Sequence, residues 1–267
     1  MAKMINIGSR LLTFTKPVVM GILNVTPDSF YGESRTMAAD DIAQRAKSII
    51  DEGAAIIDIG GCSTRPDSKP VDEDEEKRRL ASALDIVRRD HPQAVLSIDT
   101  FRPAVAEWCV REYDADIIND VTGGTDEMYA TVANLGVPYI LTSQDSNIHD
   151  MLMTFATATD RLHALGQKDI ILDPGFGFGK TREGEFAILN ELDKLKIMDM
   201  PLLVGVSRKR MIYQTLGITP EDALNGTTAV NTIALTKGAD ILRVHDVKAA
   251  VEAIELTCKY RNAIITT

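Results

Sequence analysis

Short apolar runs rich in Val, Ile and Leu recur along this chain, each closing on a polar residue or cluster and each followed by a stretch of helical spacing. The closings fall at Asn24, at Asp58 with Ser63-Thr64-Arg65, at Asp99, Asn119, Thr142-Ser143, Asp173, Ser207-Arg208-Lys209, and at Arg243 with His245. Parallel strands covered on both faces read as continuous apolar runs, and the helices between them return the chain to the same end each time. Eight such units predict a (β/α)8 TIM barrel whose polar strand ends share one rim. In this architecture the rim at the strands' C-terminal ends carries the chemistry.

The individual elements follow from the same pattern. Residues 4–14 predict a short β-hairpin ahead of the barrel. The first barrel strand spans Val18 to Leu23, and its helix spans Asp40 to Glu52 with Ile42, Ala46, Ile49 and Ile50 on one face. Strand two is Ala55 to Ile59. An Asp72-x-x-Glu75 capping signal then opens a helix with Leu80, Leu84 and Val87 buried. Strand three is Val95 to Ile98, and Pro103 opens the helix that carries Val105, Trp108 and Cys109. Strands four to six end near Ile118, Leu141 and Leu172, with helices around 126–135 and 149–166. Strand seven is Leu202 to Val206. Strand eight, Ile241-Leu242, leads into a helix with Val247, Val251, Ile254 and Cys258 on one side. The loops 24–39 and 60–71 are the longest at the polar rim and are candidate lids.

The chain has 267 residues, close to the roughly 250 typical of one such barrel, so a single domain over 1–267 is expected. No apolar stretch reaches the roughly 18 residues of a membrane span, and the first residues lack a secretory signal, which predicts a cytoplasmic protein. Cys62, Cys109 and Cys258 fit no metal-ligand spacing and read as reduced thiols. A formal charge of −10 argues against a general nucleic-acid surface. Against that acidity, the basic residues Arg65, Arg208, Lys209 and Arg243 at strand ends stand out.

The loops after strands seven and eight of many barrels bind phosphate, and Arg adds a two-pronged hydrogen bond to such an anion. Ser207-Arg208-Lys209, Arg243 and His245 occupy those places; ion pairing with surface acids is the plainer alternative. Asp99, Asn119 and Asp173 end strands three, four and six. Partly desolvated oxygens there need donors, which a ligand with a guanidine-like edge supplies. A divalent metal, or separate capping and salt-bridge roles, would also use them. Gly175-Phe176-Gly177-Phe178-Gly179-Lys180 lacks the register of a nucleotide-binding loop and reads as a tight turn against a planar ligand. His91, His149 and His163 read as ordinary helix or turn residues.

Seven segments stand out: Asn24-Val25-Thr26-Pro27-Asp28-Ser29-Phe30, Gly60-Gly61-Cys62-Ser63-Thr64-Arg65-Pro66, Ser97-Ile98-Asp99-Thr100, Asn119-Asp120-Val121, Leu172-Asp173-Pro174 with the glycine-rich run to Lys180, Gly205-Val206-Ser207-Arg208-Lys209, and Arg243-Val244-His245-Asp246. Together they resemble the dihydropteroate synthase family. They stand in family order across nearly the whole chain. The resemblance implies condensation of a dihydropterin pyrophosphate with p-aminobenzoate, giving dihydropteroate and pyrophosphate for folate synthesis. It implies that Asp99, Asn119, Asp173, Phe178 and Lys209 hold the pterin. Asn24, Thr64, Arg65, Arg243 and His245 would grip the pyrophosphate, with Asn24 also on Mg2+. Phe30, Thr64, Pro66, Ser207 and Lys209 would line the aminobenzoate side, and Arg65, Lys209, Arg243 and His245 would form the catalytic set. A homodimer through the late helices is also implied.

Three segments depart from the family pattern. Leu141-Thr142-Ser143-Gln144 stands where Leu-Met-His-Met is common, so a Met that would pack on the pterin is absent, which either loosens that wall or lets a hydroxyl and water replace it. Tyr31-Gly32-Glu33-Ser34 replaces the usual Asp-Gly-Gly, and Cys62 stands where Glu is common. Two other functions fit a pterin-binding barrel: methyl transfer from a folate to a corrinoid protein, and pterin binding without catalysis. The first gives Arg65, Arg243 and His245 no clear purpose.

Overall fold

The computed structural model describes residues 3–8, 10–25, 34–62 and 71–263. Two short strands, β1 (Met4–Ile7) and β2 (Arg10–Thr13), pair antiparallel as the predicted hairpin. Eight parallel strands follow: β3 (Val18–Asn24), β4 (Ile56–Gly60), β5 (Leu96–Asp99), β6 (Ile117–Asp120), β7 (Tyr139–Thr142), β8 (Ile170–Asp173), β9 (Leu203–Val204) and β10 (Ile241–Val244). They alternate with helices α1 (Ser34–Asp51), α2 (Glu73–Asp90), α3 (Pro103–Tyr113), α4 (Asp126–Leu135), α5 (Ile148–Ala164), α6 (Arg182–Glu191), α7 (Arg210–Leu216), α8 (Leu224–Lys237) and α9 (Val247–Asn262). The fold is the expected TIM barrel.

Local chemistry sets the helix starts. Asp72, Thr125, Asn147 and Thr181 each accept the backbone N–H three residues on, and Pro103 occupies a first-turn position. Glu75 does not reach back to complete a capping box; it pairs with Arg78 and Arg79 instead. Helix α1 begins at Ser34, ahead of the expected Asp40, because the apolar stripe that reveals it begins only near Ile42. Helix α8 buries Thr227 and Asn231 beside Val230, Ala234 and Leu235, which blurs its hydrophobic period.

The barrel is joined in the order β8-β7-β6-β5-β4-β3-β10-β9. Its last seam, between β8 and β9, is a single bridge, Leu172 to Leu202, supported by the Leu172 N–H donating to Pro201 O at 2.9 Å. The run Leu202 to Val206 therefore yields only a two-residue strand. Pro201 removes a donor at its start, and Gly205 offers no side chain beyond it.

Alternation along the strands sorts their side chains into an outer set, packed on the helices, and an inner set. Met20, Ile56, Ile117, Ile140, Ile171, Leu203 and Ile241 form the inner apolar layer near the N-terminal end, closed by Ile5, Ile7 and Phe14 of the hairpin region. Two residues further along the same strands the inner positions become Asp58, Asn119, Thr142, Asp173 and Arg243. The hairpin is thus a plug, held also by Lys3 on Asp240 at 2.8 Å and by the Asn6 N–H on Asp169 at 3.1 Å. Replacing Ile7 by Ala should lower unfolding free energy by about 2–4 kcal/mol in urea titrations, as for other fully packed aliphatic side chains. A change below about 0.5 kcal/mol would mean the plug does not seal the barrel.

Candidate active site

The polar inner layer is organised around Asp58, which is fully buried in the middle of β4. Its carboxylate accepts from Ser97 Oγ at 2.6 Å, from Asn119 Nδ2 at 3.2 and 3.3 Å, and from Arg243 Nε at 2.6 Å. Arg243 also donates Nη2 to Asp99 at 2.6 Å. One guanidinium on β10 thus ties the carboxylates of β4 and β5 together across β3. Burial alone would lower the Arg243 pKa, but Asp58 and Asp99 reverse this and hold it above its ordinary value. Burial pushes Asp99 above the usual carboxylate range while Arg243 pulls it back.

Asp173, at the end of β8, accepts the Gly175 N–H at 2.8 Å on one oxygen. Its other oxygen has no protein donor among the described residues. Burial raises its pKa, opposed by the charge of Lys209. Asn119 uses its amide nitrogen on Asp58, leaving its Oδ1 buried and without a partner; Thr142 Oγ1 on the neighbouring strand is in the same condition. A buried polar atom without a partner costs about 1–3 kcal/mol, so unsatisfied groups at the inner rim point to a ligand.

The cations surround this acidic floor. Lys209 donates to Phe176 O and stands 4.9 Å from the centre of the Phe178 ring. Burial brings its pKa down to about 8, against the pull of Asp173. Lys180 is buried, donating to Ser143 O at 3.0 Å and Gly175 O at 2.9 Å, and so fastens the β7 and β8 ends together. The glycine-rich turn accommodates its own neighbours: a Cβ at Gly175 would lie 2.0 Å from Ser143 O, and one at Gly177 would lie 2.9 Å from Lys209 Cδ. Both glycines have positive φ.

His245 Nδ1 lies 3.1 Å from Ser207 Oγ, which also accepts the His245 backbone N–H at 3.2 Å. Burial, then the charge of Arg243, brings its pKa down to about 4, so the ring is neutral near pH 7. Asn24 is exposed at the end of β3, next to Gly60: a Cβ built on Gly60 would lie 3.6 Å from Asn24 Oδ1 and 3.7 Å from Asp99 Oδ2. Arg208, by contrast, is engaged: it forms a two-pronged pair with Asp246 at 2.8 Å and donates to Pro220 O and Glu221 O. It braces the rim and is not a free anion ligand.

Asp99, Asn119, Asp173, Phe178, Ser207, Lys209, Arg243 and His245 are therefore gathered at one end of the barrel, with Asn24 beside them. Phe30, Thr64, Arg65 and Pro66 lie outside the described residues. His149 and His163 are exposed and His91 caps α2, as ordinary positions. Sequence reasoning assigned no role to Asp58, Ser97 or Lys180, although Ile56-x-Asp58-x-Gly60 places an acid on the inner side of a strand. Among the described residues, no cluster of three or more His, Cys, Asp or Glu has metal-binding geometry.

The pterin-binding enzyme family model matches residues 20–245. The dihydropteroate synthase of Bacillus subtilis is 38% identical over 245 residues, covering 87% of this chain and 85% of that protein. This chain belongs to the dihydropteroate synthase family. Among solved structures, the Xanthomonas albilineans dihydropteroate synthase with 4-aminobenzoic acid superposes with a TM-score of 0.92 at 32% identity, covering 99% of this chain and 100% of that one. The Clostridium difficile dihydropteroate synthase, solved in the presence of pteroic acid, gives 0.87 at 33% identity, covering 93% and 98%. The family match runs from Met20, within β3, to His245, just past β10, and so includes the C-terminal end of every barrel strand.

The neutral His245 yields a pH prediction. Its folded pKa lies below its ordinary value of 6.5, so the unfolded chain takes up the proton first as pH falls. The stability it contributes is complete above pH 6.5 and is lost as pH falls towards 4. Between those limits the protein should lose about 1–3 kcal/mol more unfolding free energy than His245→Asn. Parallel pH profiles for the two proteins would refute a buried neutral imidazole.

Proposed function

We propose that this chain condenses dihydropterin pyrophosphate with p-aminobenzoate to form dihydropteroate and pyrophosphate, a step of folate synthesis. The observation that carries the reading is the meeting, at one barrel mouth, of the acceptor oxygens of Asp173 and Asn119 with the cations Arg243 and Lys209; Arg243 acts electrostatically on Asp173 itself. A pterin presents an amino group and ring N–H beside each other, matching the free oxygens of Asp173 and Asn119. Phe178 and the stem of Lys209 supply a flat wall.

The substrate's exocyclic carbon–oxygen bond breaks with its electron pair leaving on pyrophosphate, and the ring system delocalises the positive charge left on that carbon. The aminobenzoate nitrogen attacks the carbon and then loses a proton. Arg243 Nη1 has no protein partner among the described residues and, with Lys209 nearby, is left to stabilise the departing anion. With Nδ1 accepting the Ser207 hydroxyl proton, the neutral His245 carries its own proton on Nε2 and offers it as a hydrogen bond. Asp58 fixes the Arg243 plane, and Asp99 fixes its far end. Ser207, thus engaged, orients His245 as well as bordering the aminobenzoate side; the family resemblance would add Phe30, Thr64 and Pro66 there, and Thr64 and Arg65 to the anion grip.

Mg2+ suits this site as a metal brought with the substrate. Such ions keep several waters and bind through one or two protein oxygens plus phosphate oxygens, and Asn24 Oδ1 is an accessible oxygen of that kind. When bound, the ion would neutralise charge on the pyrophosphate.

No helix among the described residues is long and apolar enough to cross a membrane. Cys109 and Cys258 stand outside any disulfide, which suits a reducing, cytoplasmic setting. Large apolar side chains stand exposed on the last two helices: Leu224 and Ile233 on α8, and Leu256 (72% exposed) and Tyr260 (74%) on α9. Such a patch supports a homodimer through this face.

A pyrophosphate-release assay should show turnover that requires both dihydropterin pyrophosphate and p-aminobenzoate. Pterin binding without release would leave a non-catalytic barrel, and methyl transfer from a methylated folate would replace the reading altogether. Asp173→Asn should weaken pterin binding about 10- to 100-fold by calorimetry, as expected for a hydrogen bond to a charged group. Arg243→Ala should depress turnover strongly. It should also weaken pterin binding, because it leaves Asp58 and Asp99 buried without their cation. In sedimentation, Leu256→Asp with Tyr260→Asp should convert a dimer to a monomer; a monomeric wild-type protein would remove the dimer reading.

A further inference from the structure

Five buried side-chain atoms have no partner among the described residues: Glu76 Oε1, Asn119 Oδ1, Thr142 Oγ1, Gln167 Oε1 and Asn231 Oδ1. Glu76 and Asn231 lie on outer helices, and Gln167 precedes β8 at the opposite end of the barrel. Only Asn119 and Thr142 are on the inner side of strands that reach the site. Thr142 is 1% exposed. It follows Ile140 of the inner apolar layer by two residues and pairs in register with Asp173. Its methyl faces Gly175, where an added Cβ would come within 3.0 Å of Cγ2, so the hydroxyl turns to another side.

We propose that the Thr142 hydroxyl is a specificity-determining contact that hydrogen-bonds to the bound pterin ring. This rests on the pterin reading above and adds a residue to it. The hydroxyl both donates and accepts, whereas Asn119 Oδ1 only accepts. Together they demand a ring whose edge carries an N–H facing Asn119 and a further polar atom facing Thr142. A ring of the same shape with a hydrocarbon edge would leave both atoms buried and unpaired, and a site built this way rejects such an analogue strongly. The thioether that the family resemblance places here offers surface but no donor. In this chain a polar contact therefore takes the place of an apolar one.

The decisive variants are Thr142→Val, which keeps the shape and removes the hydroxyl, and Thr142→Ser, which keeps the hydroxyl and removes the methyl. Calorimetry with dihydropterin pyrophosphate should show about 5- to 10-fold weaker binding for Thr142→Val and a change within about twofold for Thr142→Ser. The KM for p-aminobenzoate should be unchanged in both. The melting temperature of ligand-free Thr142→Val should equal or exceed that of the wild type, because an unsatisfied hydroxyl has gone. A weaker ligand response from an equally stable protein is a pattern that a structural role cannot produce. Wild-type affinity in Thr142→Val, or a larger loss in Thr142→Ser than in Thr142→Val, would overturn the proposal and leave the functional reading standing. Failure of the wild-type protein to bind the pterin would overturn both.

Discussion

The contact on which this barrel's mouth depends is the ion pair between Asp58 and Arg243. A carboxylate with no solvent exposure is costly to hold in its charged form unless it is paired and hydrogen-bonded on every side. Asp58 meets that demand with Arg243, Ser97 and Asn119, drawn from β10, β5 and β6. In meeting it, the protein fixes three side chains at once. The Asn119 amide is oriented with its oxygen free, and the Arg243 plane is set so that it can also reach Asp99. A ligand arriving at this rim finds donors and acceptors already aimed, so little further ordering is needed on binding.

The net balance of the mouth explains its perturbed side chains. Asp58, Asp99 and Asp173 face Arg243, Lys209 and Lys180 within a partly desolvated space. Lys209 is drawn down towards neutrality by burial, and His245 is kept uncharged beside Arg243. Cations gathered beside the acids favour an anionic leaving group, while the unpartnered oxygens of Asn119 and Asp173 favour a ring with hydrogen-bond donors.

Much of this was legible in the chain alone, for a physical reason. Strand count, helix starts and strand ends are encoded locally, by apolar runs, by Asp72 and Pro103, and by polar residues such as Asp99 and Asp173. What local patterns do not carry is which side of a strand faces inward. Asp58 lies in the middle of its strand, so its role appears only once Arg243, 185 residues away in the chain, folds against it. Arg208 shows the converse. It reads like an anion ligand from its neighbours Ser207 and Lys209, yet Asp246 occupies it, a pairing that depends on how β9 and β10 sit together. The early part of α1 and the whole of α8 escaped the periodicity because one has no apolar stripe at its start and the other buries Thr227 and Asn231.

The short ladder of β9 has a further meaning for the architecture. Seven staves are committed to their neighbours by several main-chain bonds, but Gly205 and Val206 continue past the last rung of theirs. Gly205 brings no side chain to that place, and Arg243 Cβ and Cδ lie 3.8 and 3.9 Å from where a methyl would stand, at ordinary contact distance. The circle of staves is thus held least firmly beside the one that carries Arg243, and its guanidinium, turned the other way across β3, fastens that stave to β4 and β5 instead.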